Sequence, residues 1–150
     1  MSKYLWRFAS SAGFIIQCSC VAHCFFHYVG DLVLCSGPSM EPTIFSNDII
    51  LTEHVTPKLQ QIQIGDIVIS KCPYNPEQNI CKRVKGLPGD KIHTNYGRTE
   101  IVPVGHVWLE GDNSTNSTDS RNYGAVPQGL IKSRAIYKIY PFMNISSLNR

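Results

Sequence analysis

The chain has 150 residues, of which 17% are charged and 43% are hydrophobic, and its formal net charge is +3. This length fits one modest domain, and so small and scattered a positive charge excludes nucleic acid as an expected partner. The six cysteines show no paired CxxC spacing, so we expect no metal site, no disulfide framework and no cofactor.

The chain begins with an uncharged, largely apolar segment. No charged residue lies between Arg7 and Asp31, and Ala12–Val29 is mostly apolar. As a helix this run would be about 27 Å long, close to the roughly 30 Å of a bilayer's hydrocarbon core. Four polar residues interrupt it: Gln17, Ser19, His23 and His27. We expect residues 1–34 to form a membrane-associated helix and connector, and an interfacial or buried core helix is the open alternative.

The charges near the N-terminus predict an orientation. Lys3 and Arg7 have no acidic neighbour, which favours the cytoplasmic or matrix side of a membrane for this end of the chain. The remaining residues would then face the opposite compartment.

Two cysteines and two histidines of the apolar segment share one helical face: Cys20, His23, Cys24 and His27. They span about 10 Å along the axis, whereas zinc holds its ligands at about 2.0–2.3 Å. One helix could therefore offer two of them at most, and we expect this face to contact a partner helix.

The segment Gly37-Pro38-Ser39-Met40-Glu41-Pro42-Thr43 holds one serine between two prolines. Each proline fixes its own φ and restricts the residue before it, so the backbone of Ser39 has few alternatives. A rigid mount of this kind suits a nucleophile. A surface turn is the alternative interpretation, because Gly, Pro and Ser are typical turn residues.

The rest of the chain predicts a mainly β domain over residues 35–150. Short runs rich in Ile, Val and aromatic residues are separated by Gly, Pro and Asn. The predicted strands are Asp48–Thr52, Asp66–Ser70, Ile80–Val84, Lys91–Thr94, His106–Glu110 and Ile136–Tyr140. We expect no second domain boundary after Cys35.

Within the predicted strand Ile80–Val84, Lys82 is the charged residue that has apolar neighbours on both sides on its own face. Strand residues alternate between faces, so Ile80, Lys82 and Val84 point the same way. Removal from water disfavours an ammonium group and lowers its pKa, which would let Lys82 act as the base that activates Ser39. The alternative is that the side chain covers apolar surface and keeps its charge in water.

Three blocks of sequence occur in an order that resembles the type I signal peptidase family. They are Gly-Pro-Ser-Met-Glu-Pro-Thr around Ser39, Cys-Lys-Arg-Val-Lys-Gly-Leu-Pro-Gly-Asp-Lys-Ile around Lys82, and the polar loop Gly111–Gly124. The resemblance implies a coiled β-sheet fold and a serine endopeptidase with a Ser/Lys dyad. The compact form is most similar to members that act at the mitochondrial inner membrane.

The resemblance also implies roles for individual residues. Ser39 matches the nucleophile and Lys82 the general base. Ser117 matches a serine whose hydroxyl orients the lysine amine, and Asp119 and Arg121 match an ion pair behind the site. Gly37 replaces a serine that supplies an oxyanion hydroxyl in some bacterial members. The oxyanion hole would then depend on the Ser39 N–H and a second donor, with Ser36 as a candidate.

Partners and location follow from the same resemblance. The substrates would be precursor polypeptides that lose sorting peptides, and a homologous second protease subunit would form a heterodimer with this chain. Glycosylation sequons at Asn113 and Asn116 lie within the polar loop, where glycans would crowd the site, and a third lies at Asn144. They argue against a secretory lumen and favour the mitochondrial inner membrane, with residues 35–150 facing the intermembrane space.

Three other functions stay open at this point. A bacterial-type signal peptidase would carry the same blocks. A non-catalytic subunit that presents substrate would not need Ser39 and Lys82. A self-cleaving transcriptional regulator shares the Ser/Lys chemistry, but this chain has no helix-turn-helix region and begins with apolar sequence.

Overall fold

A computed structural model describes residues 2–28, 30–93 and 99–148, and in the first helix it describes the side chains of residues 12–24 and 26. Helix α1 spans Ser2–Tyr28, which confirms the predicted N-terminal helix. The predicted end at Val29 and the side chains of Lys3, Arg7 and His27 lie outside the described residues. In the described part of the chain, no helix is long and apolar enough to cross a membrane.

The remaining elements are mostly strands, which confirms the mainly β prediction. The strands are β1 Gly30–Leu34, β2 Ile49–Glu53, β3 Ile67–Cys72, β4 Asn75–Gly86, β5 Lys91–His93, β6 Thr99–Ile101, β7 His106–Glu110, β8 Val126–Pro127, β9 Ile131–Tyr140 and β10 Ser146–Ser147. The short helices α2 (Val55–Lys58) and α3 (Ser120–Tyr123) lie between them. Thr94, the predicted end of β5, lies outside the described residues.

One antiparallel sheet organises the domain. Its strand order is β1-β2-β9-β3-β4-β7-β8, with β10 added to β9, while β5 and β6 form a separate pair. Strand β3 lies in the middle of the sheet, and residues from both of its faces are buried, which explains the apolar run at its start. Ile67 and Ile69 belong to one apolar cluster and Val68 to the other, as the alternation of strand side chains requires.

The sheet begins at Gly30, before the predicted boundary at Cys35. Strand β1 pairs with β2 along its whole length, from Gly30 opposite Glu53 to Leu34 opposite Ile49. A Cβ at Gly30 would clash with the carbonyl oxygen of Thr52, so the close approach of the two strands depends on this glycine. The prediction missed β1 because its sequence, Gly-Asp-Leu-Val-Leu, shows no alternation of apolar and polar residues.

Strand β4 is longer than predicted, and its edge is only partly covered. Its first five residues are exposed and, apart from Pro76, polar, so they carry no apolar pattern from which to predict a strand. Strand β7 pairs with β4 only from Arg83 onward. Among the described residues, the edge of Asn79–Lys82 that faces away from β3 therefore has no strand partner.

Candidate active site

Ser39 lies in a tight turn that is anchored at both ends in the apolar core. The Glu41 N–H donates to the Pro38 carbonyl at 3.2 Å, closing a turn around Ser39. Met40 and Ile44, just after it, are buried in the same cluster as Ile67 and Ile69. Burial of these neighbours fixes the turn while the Ser39 side chain stays partly exposed. We call residues 35–44 the Ser39 segment.

Lys82 reaches Ser39 from strand β4. Its Nζ donates to Ser39 Oγ at 2.8 Å, and only 4% of the residue is exposed. Removal from water lowers the pKa of Lys82 below the ordinary lysine value. The Asp119 carboxylate opposes this shift, and the Arg121 guanidinium favours it. A buried amine beside a serine hydroxyl is an arrangement in which the amine can take the hydroxyl proton.

The polar loop Gly111–Gly124 holds the Ser39 segment in place. The backbone N–H of Asn113 donates to the Ser39 carbonyl at 3.0 Å, and its side-chain amide donates to the Pro38 carbonyl at 3.1 Å. A Cβ at Gly111 would clash with the Ser39 carbonyl oxygen and the Ser117 hydroxyl. Glycine at this position therefore lets the loop pack against the turn that carries Ser39.

Asp119 is completely buried and caps helix α3. Its Oδ2 accepts hydrogen bonds from the Gly111 N–H at 2.9 Å, from Ser117 Oγ at 2.6 Å and from Arg121 Nη2 at 2.6 Å. Its Oδ1 accepts one from Arg121 Nε at 2.8 Å. Burial alone raises the pKa of a carboxyl, but these hydrogen bonds outweigh it and hold the pKa of Asp119 below its usual value.

Ser117 does not make the contact that the resemblance implied. Its hydroxyl donates to Asp119 and, among the described residues, forms no hydrogen bond with Lys82. The physical reason is the acceptor, because a hydrogen bond to an ionised carboxylate is shorter and stronger than one to a neutral group. In this structure Ser117 therefore binds Asp119 within the polar loop beside Ser39.

A second ion pair, missed from the sequence, supports the other side of the Ser39 segment. Arg83 follows Lys82 on β4 and binds Asp112 through two hydrogen bonds of 2.8 and 2.7 Å. Asp112 also accepts a hydrogen bond from Thr43 Oγ1 at 2.6 Å. One carboxylate thus joins strand β4, the polar loop and the Ser39 segment. The alternation of side chains on β4 predicts that Arg83 points away from Lys82, but it does not predict that Arg83 binds Asp112.

Gly37 has a backbone conformation that favours glycine, with φ of +94°. Its N–H donates to Ser46 Oγ at 3.3 Å and is therefore occupied. In the described part of the chain no acceptor takes the Ser39 N–H. Ser36 is exposed and lines a cleft that opens beside Ser39.

A cleft of about 250 Å³ opens beside Ser39 and Lys82. Its lining includes Ser36, Gly37, Ile44, Asn79, Ile80 and Thr118. Among the described residues, no group of three or more His, Cys, Asp or Glu side chains is arranged to hold a metal ion. The cleft follows the open edge of β4, so an extended peptide lying in it would pass Ser39.

The chain is similar to one protein family and to several known proteins. The family described as "Signal peptidase, peptidase S26" matches residues 7–101 and 93–140. Mitochondrial inner membrane protease subunit 1 of Mus musculus is 54% identical over 142 residues, which are 91% of this chain and 86% of that protein. Subunit 2 from the same organism is 38% identical over 81% of this chain and 73% of that protein. A signal peptidase I structure from Enterococcus faecalis, 23% identical, covers 49% of this chain and 95% of its own, with a TM-score of 0.42.

The buried Asp119–Arg121 pair generates a test of stability. Asp119→Asn removes the charge and leaves Arg121 without its partner, so we expect the free energy of unfolding at pH 7 to fall by about 3–5 kcal/mol. Because the folded-state pKa of Asp119 is lowered, its contribution is present above the unfolded value of about 3.9 and is lost as pH falls through the folded value. The parent should therefore lose more stability in acid than the variant.

Urea unfolding of the full chain in detergent, from pH 7 to pH 3, measures both effects. Glu77→Gln is the matched control, because Glu77 is exposed on β4. Equal stability of Asp119→Asn and parent at pH 7, or the same acid dependence in both, would contradict this account of the pair.

Proposed function

The chain belongs to the peptidase S26 (signal peptidase) family, and we propose on that basis that it is a serine endopeptidase that removes sorting peptides from precursor polypeptides at the mitochondrial inner membrane. The family resemblance drawn from three sequence blocks is thereby confirmed. The mitochondrial part of the proposal is supported by the name of the 54% identical mouse protein, mitochondrial inner membrane protease subunit 1.

The contact between Lys82 and Ser39 carries the proposal for the catalytic residues. The two polar atoms lie 2.8 Å apart, within the range required for proton transfer. Burial favours the neutral amine, and in that form the same contact lets the Ser39 hydroxyl donate its hydrogen to the lone pair of Lys82 Nζ. Ser39 is then the nucleophile and Lys82 the general base.

Acylation follows from this geometry. Lys82 takes the proton of Ser39 Oγ as the oxygen attacks the scissile carbonyl of the precursor. The carbonyl oxygen becomes an oxyanion, and the unoccupied N–H of Ser39 is placed to donate to it. The ammonium of Lys82 then gives its proton to the leaving amine, so the amine departs neutral and an ester forms on Ser39.

Deacylation uses the same base again. Neutral Lys82 takes a proton from a water molecule that attacks the ester carbonyl, and it returns that proton to Ser39 Oγ when the acid product leaves. Over the whole cycle one peptide bond and one water molecule are consumed. The charge on Lys82 is unchanged at the end.

The remaining candidate residues act as positioning groups in this proposal. Asp119 raises the pKa of Lys82 and Arg121 lowers it, so their effects oppose each other. Burial remains the dominant influence on this pKa. Ser117 acts through Asp119, which it binds, rather than through a direct bond to the lysine. Gly37 permits the turn that exposes the Ser39 N–H.

An extended polypeptide fits the cleft better than a small molecule does. The open edge of Asn79–Lys82 offers unpaired backbone groups, and an added strand would form hydrogen bonds with them. Apolar side chains such as Ile44 and Ile80 would contact alternate residues of that strand. Backbone pairing of this kind accepts many sequences, as a processing peptidase requires.

We further propose that helix α1 attaches the chain to the membrane and that residues 35–150 face the intermembrane space. Lys3 and Arg7 support this orientation, because positive residues favour the matrix side. A heterodimer with a homologous second subunit is supported by the matches to both subunit 1 and subunit 2 of the mouse protease.

The dyad proposal predicts a specific pattern of lost activity. Ser39→Ala and Lys82→Met should each lower kcat for cleavage of a precursor peptide by about 10⁴-fold or more. The double variant should be no worse than either single variant, because the two residues share one step. Lys85→Met, an exposed lysine on the same strand, is the control and should retain activity. Substantial cleavage by a folded Ser39→Ala chain would exclude Ser39 as the nucleophile.

The lowered pKa of Lys82 predicts the pH dependence of cleavage. Since only the neutral amine acts as a base, kcat/KM should rise along an acidic limb whose midpoint lies below the ordinary lysine value of about 10.4. Ile80→Ser should admit water beside the amine and move the limb to higher pH, while Ile80→Val should leave it in place. An unmoved limb in Ile80→Ser would contradict the assignment of this limb to Lys82.

The lowered pKa of Lys82 also determines whether this residue stabilises or destabilises the fold. The unfolded chain holds the Lys82 proton more tightly, so the cost to folding is full below the folded pKa and disappears above the unfolded one. Lys82→Met should therefore leave stability at neutral pH unchanged or raise it, measured by urea unfolding. A large loss of stability would show that the ammonium is stabilised in the fold.

Attachment can be tested on isolated mitochondria. We expect the chain to stay with the membranes after a salt wash, and protease added outside the inner membrane should digest residues 35–150. Retention after alkaline carbonate indicates an embedded helix, and release by carbonate alone indicates an interfacial one. Release by salt, or protection of residues 35–150 in mitoplasts, would contradict the proposed attachment or orientation.

A further inference from the structure

Two cysteines lie in the proposed active-site cleft, one next to each half of the dyad. Cys35 begins the Ser39 segment, directly after β1, and Cys81 precedes Lys82 on β4. Both line the cleft, and both contact the apolar cluster that contains Met40 and Ile44. The two thiols are close enough that each shifts the pKa of the other. Nothing in the sequence predicts that they pair, because they are far apart in the chain.

The other cysteines have different surroundings. Cys72 is buried and is absent from the lining of this cleft. Cys18, Cys20 and Cys24 are exposed on helix α1. Within the described residues, Cys35 and Cys81 are thus the thiols that reach the cleft and contact one another.

We propose that Cys35 and Cys81 form a reversible disulfide that switches off the Ser39–Lys82 site, an inference that rests on the proposed function. The oxidant would be a low-molecular-weight disulfide such as oxidised glutathione, small enough to enter the cleft. The pair would make cleavage of precursors depend on the thiol–disulfide balance around the protein.

The exchange balances in two steps. The Cys35 thiolate attacks one sulfur of the small disulfide, forming a mixed disulfide and releasing one small thiolate. The Cys81 thiolate then attacks the Cys35 sulfur, forming the Cys35–Cys81 bond and releasing the second small thiolate. The two protein thiols lose two electrons and two protons, and the small disulfide becomes two thiols.

The surroundings of the two thiols support this order. Interaction with the Cys81 thiol lowers the pKa of Cys35, although burial and Asp48 oppose the shift. Interaction with the Cys35 thiol and burial together raise the pKa of Cys81. Cys35 is therefore the thiol that is more easily ionised, and thiolates are the attacking species.

Closing the bond would disturb the dyad, because a covalent sulfur–sulfur bond is shorter than a contact between two thiols. The Ser39 segment and strand β4 would have to move toward each other at Cys35 and Cys81. Ser39 and Lys82 are attached to those same two pieces of chain, and their hydrogen bond is 2.8 Å long. A displacement of about 1 Å in such a site lowers the rate by roughly 10²-fold.

The test uses the full chain in detergent with Cys18, Cys20 and Cys24 changed to serine. The chain is incubated with oxidised or reduced glutathione and digested without reduction, and cross-linked peptides are identified by mass spectrometry. Cleavage of a precursor peptide is measured on the same samples before and after dithiothreitol. We expect a Cys35–Cys81 cross-link, a drop in kcat/KM of about 10²-fold, and recovery after reduction.

Three variants provide controls, each judged by the ratio of its own reduced and oxidised activities. Cys35→Ser/Cys81→Ser should give a ratio near one, whereas Cys72→Ser should respond as its parent does. Cys81→Ser retains the first thiol and should form only a glutathione adduct at Cys35.

The outcomes separate the inference from the function on which it rests. Failure to find the Cys35–Cys81 cross-link, full activity of the cross-linked chain, or an unchanged response in the double variant would each overturn the switch while the reduced chain still cleaves precursor. A reduced chain that cleaves no precursor would overturn the proposed function, and the switch with it.

Discussion

The burial of the Lys82 amine against the Ser39 hydroxyl is the constraint on which the rest of the site depends. Removing an amine from water is costly, so the fold must hold it there by packing strand β4 between β3 and β7. The Ser39 segment must also be held in a fixed position, and its own residues Met40 and Ile44 anchor it in the core. The packing of the sheet thus compensates for the cost of burying the Lys82 amine and keeps its pKa low.

Two ion pairs, Arg83–Asp112 and Arg121–Asp119, support the site around that amine. Asp112 joins Arg83 to the Ser39 segment through Thr43, and Asp119 pairs with Arg121 inside the polar loop. Each carboxylate is satisfied by several donors, so neither needs Lys82 as its counterion. This arrangement explains how a lysine can lie close to acidic groups and still have a lowered pKa.

Sequence alone predicted the features that leave a local pattern. Strand β7 at His106–Glu110 was predicted with its observed bounds, because a continuous apolar run between two polar residues marks it clearly. Strand β1 and the exposed start of β4 carry no such pattern and were missed. Contacts between distant segments were missed for another reason. The pairing of Arg83 with Asp112 depends on the register between β4 and β7, and Ser117 binds Asp119 because a buried carboxylate outcompetes a neutral amine as the acceptor.

Titration of Lys82 in the folded chain by NMR tests this account most directly. The chain is labelled with isotopes at the side-chain Cε and Nζ of lysine, and Lys82→Met identifies the resonance of interest. The account predicts that Lys82 titrates clearly below the ordinary lysine value of about 10.4 in the free protein. Titration of Lys82 at or above that value would contradict the claim that burial keeps the amine available as a base.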